Sequence, residues 1–231
     1  MPGGIGGFRQ GIDQGAADAA FSVGCHPEGE PDAVGGFETD AFDLLTKPVG
    51  VFYSEEKARA LMAASGDTYV EDAGRGWRKV VASPIPVRIE ELDTIRTLSE
   101  SGAIVIAIGG GGIPVVENED GSLTGVSAVI DKDNASARLA IDLGADSLVI
   151  LTAVEKICIN FNKPDQKEID RMDLAEAARY IEEKQFAPGS MLPKVKACMK
   201  FAEETGHEAL VTSLQKAREG LAGLTGTTIC R

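Results

Sequence analysis

The residue types best suited to chemistry in this sequence are a run of four glycines and a charged triplet about twenty positions after it. The glycines are Gly109, Gly110, Gly111 and Gly112. Where side chains are absent, backbone N–H groups can approach a phosphate or carboxylate, and glycine adopts the positive φ that a tight turn requires. The triplet Asp131-Lys132-Asp133 offers charges of both signs at a predicted helix start, where anions bind favourably. Together the two features predict an anion site.

Each motif also has a plainer interpretation, in which the glycines form only a tight turn and the triplet is a solvated helix cap. Two common phosphate-binding patterns are missing from the sequence. There is no Gly-x-x-x-x-Gly-Lys-Ser/Thr, and the glycine run lacks the Gly-x-Gly-x-x-Gly spacing of dinucleotide-binding folds. An anion site here would therefore differ from both of these phosphate-binding loops.

Lys194 is a further candidate, because it lies in the first turn of a predicted helix that carries Val195, Cys198 and Met199 at helical spacing. A lysine at that position opposes the helix dipole and costs roughly 0.3 kcal/mol. A phosphate bound at the same turn would reverse the sign of this effect. The alternative is a lysine that simply points into water.

Composition limits the classes of function. The 231 residues are 43% hydrophobic and 26% charged, which is ordinary for a globular protein of one domain or two small ones. A formal net charge of −13 argues against nucleic acid and anionic membrane as partners. No apolar run approaches the roughly 18 residues that span a bilayer, and no signal-peptide pattern is present, so we expect a cytoplasmic protein.

Cysteine and histidine are too sparse and scattered for several kinds of site. They are Cys25, Cys158, Cys198, Cys230, His26 and His207. Without a Cys-x-x-Cys pair, reduced thiols are expected rather than a disulfide framework or a zinc site. The two histidines argue against a histidine-based triad or metal cluster, so no protein-bound metal centre is predicted.

Strands and helices are predicted to alternate from residue 41 onward. The predicted strands are 104–108, 147–152, 209–213 and 227–229, and the predicted helices are 54–65, 90–100, 134–143, 173–184, 214–221 and one that starts shortly before Lys194. This alternation calls for a parallel sheet covered on both faces, with ligands beyond the carboxyl ends of its strands, where Gly109 and Thr152 lie. Residues 1–40 hold 10 of the 27 glycines without a clear period, and we expect a loosely ordered lead.

Several segments, taken in chain order, resemble carbamate kinase of the amino acid kinase superfamily. They are Thr46-Lys-Pro-Val-Gly, Glu71-Asp-Ala-Gly-Arg-Gly-Trp-Arg, Gly109-Gly-Gly-Gly-Ile-Pro-Val, Ala128-Val-Ile-Asp-Lys-Asp, Ile150-Leu-Thr, Ile159-Asn-Phe and Phe186-Ala-Pro-Gly-Ser-Met-Leu-Pro-Lys. The resemblance implies a three-layer αβα sandwich with a mainly parallel central sheet, formed by residues 41–231. Within it, residues 41–90 would include a protruding subdomain, and residues 91–231 would form the sheet and nucleotide-binding lobe.

The resemblance also implies an activity: reversible phosphoryl transfer between ATP and carbamate in arginine or agmatine breakdown, by a homodimer that uses Mg²⁺ with ATP or ADP. Lys132 and Lys194 would contact the transferring phosphoryl group, Asp133 would hold them, and Lys47 would enter the site from the protruding subdomain. The four glycines would line the carbamate or carbamoyl phosphate end. The residues implied for the nucleotide are Thr152, Val154, Ala187, Gly189, Ser190, Met191 and Pro193.

The sequence also departs from this pattern. It lacks the Gly-Gly-Asn-Ala turn of the family's first strand, so we expect the N-terminal part of the sheet to be incomplete. Ala153 stands where the family usually has aspartate, and Ile108 where a small or polar residue is common. Two alternatives follow: a kinase for another small carboxylate such as acetylglutamate, and a catalytically inactive truncated homologue that serves as a binding or dimerisation module.

Overall fold

Helices are interspersed among single strands and short runs of strands along the chain, as in an α/β fold. The structure is a computed structural model that describes residues 22–25, 45–72 and 74–231. Its strands are β1 (Ser22–Cys25), β2 (Leu45–Tyr53), β3 (Tyr69–Glu71), β4 (Trp77–Ala82), β5 (Pro86–Ile89), β6 (Ile113–Glu117), β7 (Leu123–Gly125), β8 (Leu148–Thr152), β9 (Ile157–Ile159), β10 (Lys167–Ile169), β11 (Arg171–Asp173), β12 (Ala209–Ser213) and β13 (Thr227–Cys230). Its helices are α1 (Glu55–Ser65), α2 (Leu92–Glu100), α3 (Lys132–Leu143), α4 (Leu174–Glu182), α5 (Met191–Thr205) and α6 (Ala217–Leu221), with a 3₁₀ turn at Leu214–Lys216.

The strands form two four-stranded sheets, a three-stranded sheet and a hairpin. The four-stranded sheets have the orders β5-β1-β6-β7 and β11-β13-β12-β8, the three-stranded sheet is β2-β4-β3, and β9 pairs with β10. Three pairs in the four-stranded sheets are parallel, namely β1–β6, β8–β12 and β11–β13. The other three are antiparallel. The predicted α/β class is confirmed, and within the described residues its four-stranded sheets are mixed.

The larger hydrophobic core lies around α5. Val195 and Phe201 of this helix are fully buried against Ile150 of β8 and Val211 of β12. Burial of such side chains contributes about 1.5–3 kcal/mol each. Ala137 of α3 belongs to the same cluster. The core therefore holds α3 and α5 side by side and fixes the relative position of their first turns.

Helix ends follow the local signals in the sequence. The Ser54 side chain accepts a hydrogen bond from the Lys57 N–H at the start of α1, and Gly66 ends that helix with φ 76°. The Asp173 carboxylate accepts from the Glu176 N–H at the start of α4 and so caps that helix. None of the described helices has the length and apolar character needed to cross a membrane.

The prediction of a buried strand at residues 104–108 is wrong. Ile104 is 96% exposed and Ile106 is 78% exposed, whereas Ile108 is buried. No described strand pairs with this segment, and a strand becomes regular only when a neighbour supplies its hydrogen bonds. Beside β6, the described neighbours are β7 and Ser22–Cys25, a four-residue strand in the lead that we expected to be loosely ordered. The rest of that lead lies outside the described residues.

Candidate active site

Two helix starts bring a buried lysine and a buried aspartate together. Lys194 lies in the first turn of α5 and its Nζ donates to Oδ2 of Asp133, in the first turn of α3, over 2.7 Å. Both residues are less than a tenth exposed. Nζ of Lys132 lies 3.9 Å from the same oxygen, and this side chain is 56% exposed. The structure thus brings three of the predicted residues together, with two lysines beside one oxygen of Asp133.

Asp131 brings the third predicted lysine, Lys47, into the same place. Its Oδ1 accepts from the Asp133 N–H over 2.9 Å and so caps α3, and its Oδ2 accepts from Lys47 Nζ over 2.5 Å. Burial alone would raise the pKa of Asp131. The hydrogen bonds from Lys47 and the Asp133 N–H, with the charges of Lys47 and Lys132, outweigh burial and hold that pKa below its ordinary value. Asp131 is therefore ionised at neutral pH.

The cluster carries an excess of positive charge. Lys47, Lys132 and Lys194 stand against Asp131 and Asp133, which leaves one positive charge over in a chain whose formal net charge is −13. Lysine is a compact point charge that suits phosphate. Because Lys132 is more than half exposed while Lys194 is buried, the cluster presents one ammonium group to solvent and anchors another in the fold.

The glycine loop lies directly against this cluster. A Cβ on Gly111, where φ is +135°, would lie 2.0 Å from the carbonyl oxygen of Ile130, the residue before Asp131. A Cβ on either Gly109 or Gly110 would meet no atom within 4 Å, so these two residues have open space in front of them. Packing against Ile130 therefore requires glycine at position 111, whereas Gly109 and Gly110 leave room for a ligand.

Ile108 precedes the loop in a strained backbone conformation. Its φ is 69°, which is a left-handed value that β-branched residues rarely adopt. Such a conformation costs roughly 1–3 kcal/mol and persists only where the surroundings enforce it. Burial of Ile108 among Ile89, Ile95 and Ile130 supplies that enforcement and fixes the entry to the glycine loop.

A cavity of about 400 Å³ opens beside the start of α5. Five of the seven residues predicted for a nucleotide line it: Thr152, Val154, Ala187, Ser190 and Met191. The predicted Gly189 and Pro193 are not among its lining residues. The volume lies within the range of small-ligand sites.

Sequence reasoning missed much of the cavity wall. The additional lining residues are Ala153, Lys156, Cys158, Asn160, Phe161, Lys163, Lys184, Gln185 and Phe186. Most lie on or beside the β9–β10 hairpin, whose three-residue strands are too short to show a period. The signal that could have found them is position, because they follow Thr152 at the carboxyl end of a parallel strand. Their aromatic rings and lysines suit a ligand with a flat apolar part and negative charge.

The cavity and the lysine cluster adjoin through α5. Met191 lines the cavity and Lys194 lies in the cluster, three positions further along the same helix. Residues at that spacing share one face and are separated by about 4.5 Å along the axis. A ligand seated in the cavity can therefore extend its charged end toward Lys194.

The sequence model of the amino acid kinase family matches residues 52–213, which is more than half of the chain. The chain belongs to the amino acid kinase family. The matched range includes the glycine loop, Asp131, Asp133 and Lys194, but not Lys47. The resemblance found in the sequence motifs is thus confirmed at the level of the family.

Relatives of this chain include the carbamate kinase of Clostridium perfringens (strain 13 / Type A), 56% identical over 191 residues that cover 82% of this chain and 60% of the relative. The carbamate kinase-like protein YqeA of Escherichia coli (strain K12) is 56% identical over 192 residues, covering 83% and 61%. Among solved structures, carbamate kinase from Giardia lamblia bound to AMP-PNP has a TM-score of 0.77 and 42% identity, covering 91% of this chain and 64% of that one. The chain therefore spans about 60% of the length of the curated relatives it matches.

Cys158 gives this cavity a measurable pH dependence. Burial, helped by the charge of Glu168, raises the pKa of the half-buried Cys158 thiol. Because only the thiolate is nucleophilic, we expect alkylation of Cys158 by iodoacetamide to accelerate about tenfold per pH unit from pH 7 to 9. Mass spectrometry of the labelled peptide measures the rate. Fully buried Cys198 is the control and should react only in urea, and a rate for Cys158 that levels off below pH 8 would contradict the prediction.

Proposed function

We propose that this amino acid kinase catalyses reversible phosphoryl transfer between ATP and carbamate, and in cells converts carbamoyl phosphate and ADP to carbamate and ATP. The observation that carries the proposal is the convergence of Lys47, Lys132 and Lys194 on two buried carboxylates beside a nucleotide-sized cavity. The carbamate kinase names of its relatives support the choice of substrate.

The arrangement suits this chemistry because phosphoryl transfer needs positioning and charge neutralisation more than covalent catalysis. Lys132 and Lys194 approach the transferring phosphoryl group from two helix starts and neutralise the charge spread over its oxygens. Asp133 holds both ammonium groups through one oxygen. Lys47 contacts the carbamoyl end, where the backbone N–H groups of the glycine loop bind its oxygens.

The cavity holds the nucleotide in this proposal. Phe161 and Phe186 supply flat apolar surface for the base, and the start of α5 lies toward the phosphates. The Giardia lamblia carbamate kinase bound to AMP-PNP supports a nucleotide here by similarity. Ala153 leaves this part of the wall without the carboxylate that the family usually has, and the charged residues in the lining are Lys156, Lys163 and Lys184.

Magnesium fits this site as a companion of the nucleotide. Among the described residues no group of three His, Cys, Asp or Glu side chains could form a metal cage, and Asp131 and Asp133 are engaged by lysines. Mg²⁺ in kinases is held largely by phosphate oxygens and water, with one or two carboxylates. When bound with ATP or ADP it would neutralise charge on the phosphates, and the lysines supply the remainder.

Two further properties belong to the proposal. Location in the cytoplasm agrees with the free thiols of Cys158, Cys198 and Cys230, which a reducing compartment maintains. Assembly as a homodimer is implied by the resemblance to carbamate kinases, and sedimentation of the purified chain would test it.

A coupled assay tests the proposed function. Purified chain, ADP and Mg²⁺ are supplied with carbamoyl phosphate, and ATP is measured through hexokinase and glucose 6-phosphate dehydrogenase. Acetyl phosphate and N-acetylglutamyl phosphate serve as alternative donors. ATP formed with carbamoyl phosphate at a kcat/KM at least about tenfold above the other donors supports the proposal. Preference for another donor, or no ATP from folded protein, would overturn it.

A further inference from the structure

Asp131 performs two tasks with its two carboxylate oxygens. Oδ1 accepts from the Asp133 N–H and caps α3, while Oδ2 accepts from Nζ of Lys47 on β2. The first contact lies within one helix, and the second joins residues 84 positions apart. We propose that Asp131 is a positioning residue, which holds Lys47 in the active site and ties the three-stranded sheet to the first turn of α3. Where it concerns turnover, this inference rests on the proposed function.

The helix cap alone does not explain why this residue is an aspartate. Serine, threonine and asparagine cap helices about as well, and none of them carries a charge. Burying an ionised carboxylate is unfavourable unless a partner compensates for the loss of water. Asp131 is buried to more than nine tenths, and Lys47 is the partner that its second oxygen contacts. The negative charge is therefore explained by Lys47 rather than by the helix.

The three-stranded sheet meets this segment at a second point nearby. The Val129 N–H donates to the carbonyl oxygen of Ala82, the last residue of β4, over 2.9 Å. Ala82 also pairs with Leu45 of β2, two residues before Lys47. The backbone contact thus fixes the base of the sheet within two residues of Asp131. It leaves the long Lys47 side chain, one third exposed, to be placed by Asp131.

Placing Lys47 in advance matters for an anionic substrate. A free lysine side chain loses rotamer entropy when a ligand immobilises it. An ammonium group already ordered by Asp131 avoids most of that loss and lies near the position that the substrate needs. Because the same carboxylate caps the helix that carries Lys132, the positions of the two lysines are coupled through one residue.

A double-mutant cycle separates this role from a structural one. Asp131→Asn keeps an oxygen for the helix cap and removes the charge that holds Lys47. We expect it to lower kcat/KM for carbamoyl phosphate about tenfold or more, mainly through a higher KM. We expect Lys47→Ala to have at least as large an effect, and the combined variant to be no worse than Lys47→Ala. A combined loss equal to the product of the two single losses would overturn the proposal.

A second measurement does not depend on activity. Acetylation of the native protein by N-hydroxysuccinimidyl acetate at pH 7.5, read by mass spectrometry, reports how firmly Lys47 is held. Asp131→Asn should increase labelling of Lys47 severalfold relative to the exposed Lys57, which is the internal control. Unchanged relative labelling would overturn the positioning role. If the wild-type chain forms no ATP, the proposed function fails, but this labelling result still decides the role of Asp131.

Discussion

Replacing Lys194 with alanine should lower the turnover of carbamoyl phosphate and ADP by about 10²–10³-fold, the usual effect of removing one preorganised group that stabilises charge in a transition state. Lys194 is less than a tenth exposed and its Nζ is fixed 2.7 Å from Asp133, so no other lysine can take its place without repacking α5 against α3. The coupled ATP assay measures the loss. Turnover above a third of the wild-type value would contradict the role of Lys194.

The same substitution should destabilise the fold. Asp133 would remain buried without its 2.7 Å partner, and breaking a buried ion pair in this way costs about 3–5 kcal/mol. Lys132, whose Nζ lies 3.9 Å from the same Asp133 oxygen, compensates for part of the lost charge. We therefore expect the free energy of unfolding, measured in urea, to fall by about 3 kcal/mol. Lys57→Ala, at an exposed position in helix α1, is the control and should leave turnover unchanged and stability within about 0.5 kcal/mol of the wild-type value.

Elements set by local chemistry could be predicted closely from the sequence. Ser54 and Gly66 mark both ends of α1, and Asp173 with Glu176 marks the start of α4, because each contact closes within a few residues. Helix α3 begins two residues before its predicted start, at Lys132, because Asp131 is its cap. Such boundaries depend on neighbours along the chain and not on the tertiary fold.

The residues alone predicted an anion site at Asp131-Lys132-Asp133, but the meeting of this triplet with Lys47 and Lys194 could be predicted only through family resemblance. Asp131 and Lys47 are separated by 84 positions, and Asp133 and Lys194 by 61. No local pattern reports which distant side chains meet. The contact between Asp131 and Lys47 was missed for a related reason: an aspartate at a helix start is already explained as a cap, so the sequence contains no sign that its second oxygen has a partner.

The wrong prediction of a buried strand at residues 104–108 has a different cause. An apolar, β-branched run is typical of a strand, but a strand also needs a neighbour, and no described strand pairs with this one. In contrast, Ser22–Cys25 has weak strand character and forms β1, because it lies parallel to β6 and antiparallel to β5. In both segments, the presence or absence of a described partner strand outweighed the intrinsic strand preference of the residues.

Gly111→Ala should be among the most damaging single-methyl substitutions in the described chain. The added Cβ would lie 2.0 Å from the Ile130 carbonyl oxygen and 3.0 Å from its carbon, and both are backbone atoms that cannot rotate away. The φ of +135° is also one that alanine rarely adopts. We expect a loss of about 3 kcal/mol or more in the free energy of unfolding, measured in urea. The shift would also displace Asp131, and with it Lys47.

Gly110→Ala is the matched control, and it separates the structural role of the loop from its chemical role. A Cβ there meets nothing within 4 Å and no positive φ opposes it, so stability should change by no more than about 1 kcal/mol. Equal destabilisation by both substitutions would mean that the loop responds to any side chain, contrary to the Gly111–Ile130 contact. If Gly110→Ala keeps its stability but raises the KM for carbamoyl phosphate, the open space at Gly110 is where the substrate approaches the backbone. A wild-type KM would place the substrate elsewhere along the loop and leave Gly111 with a packing role alone.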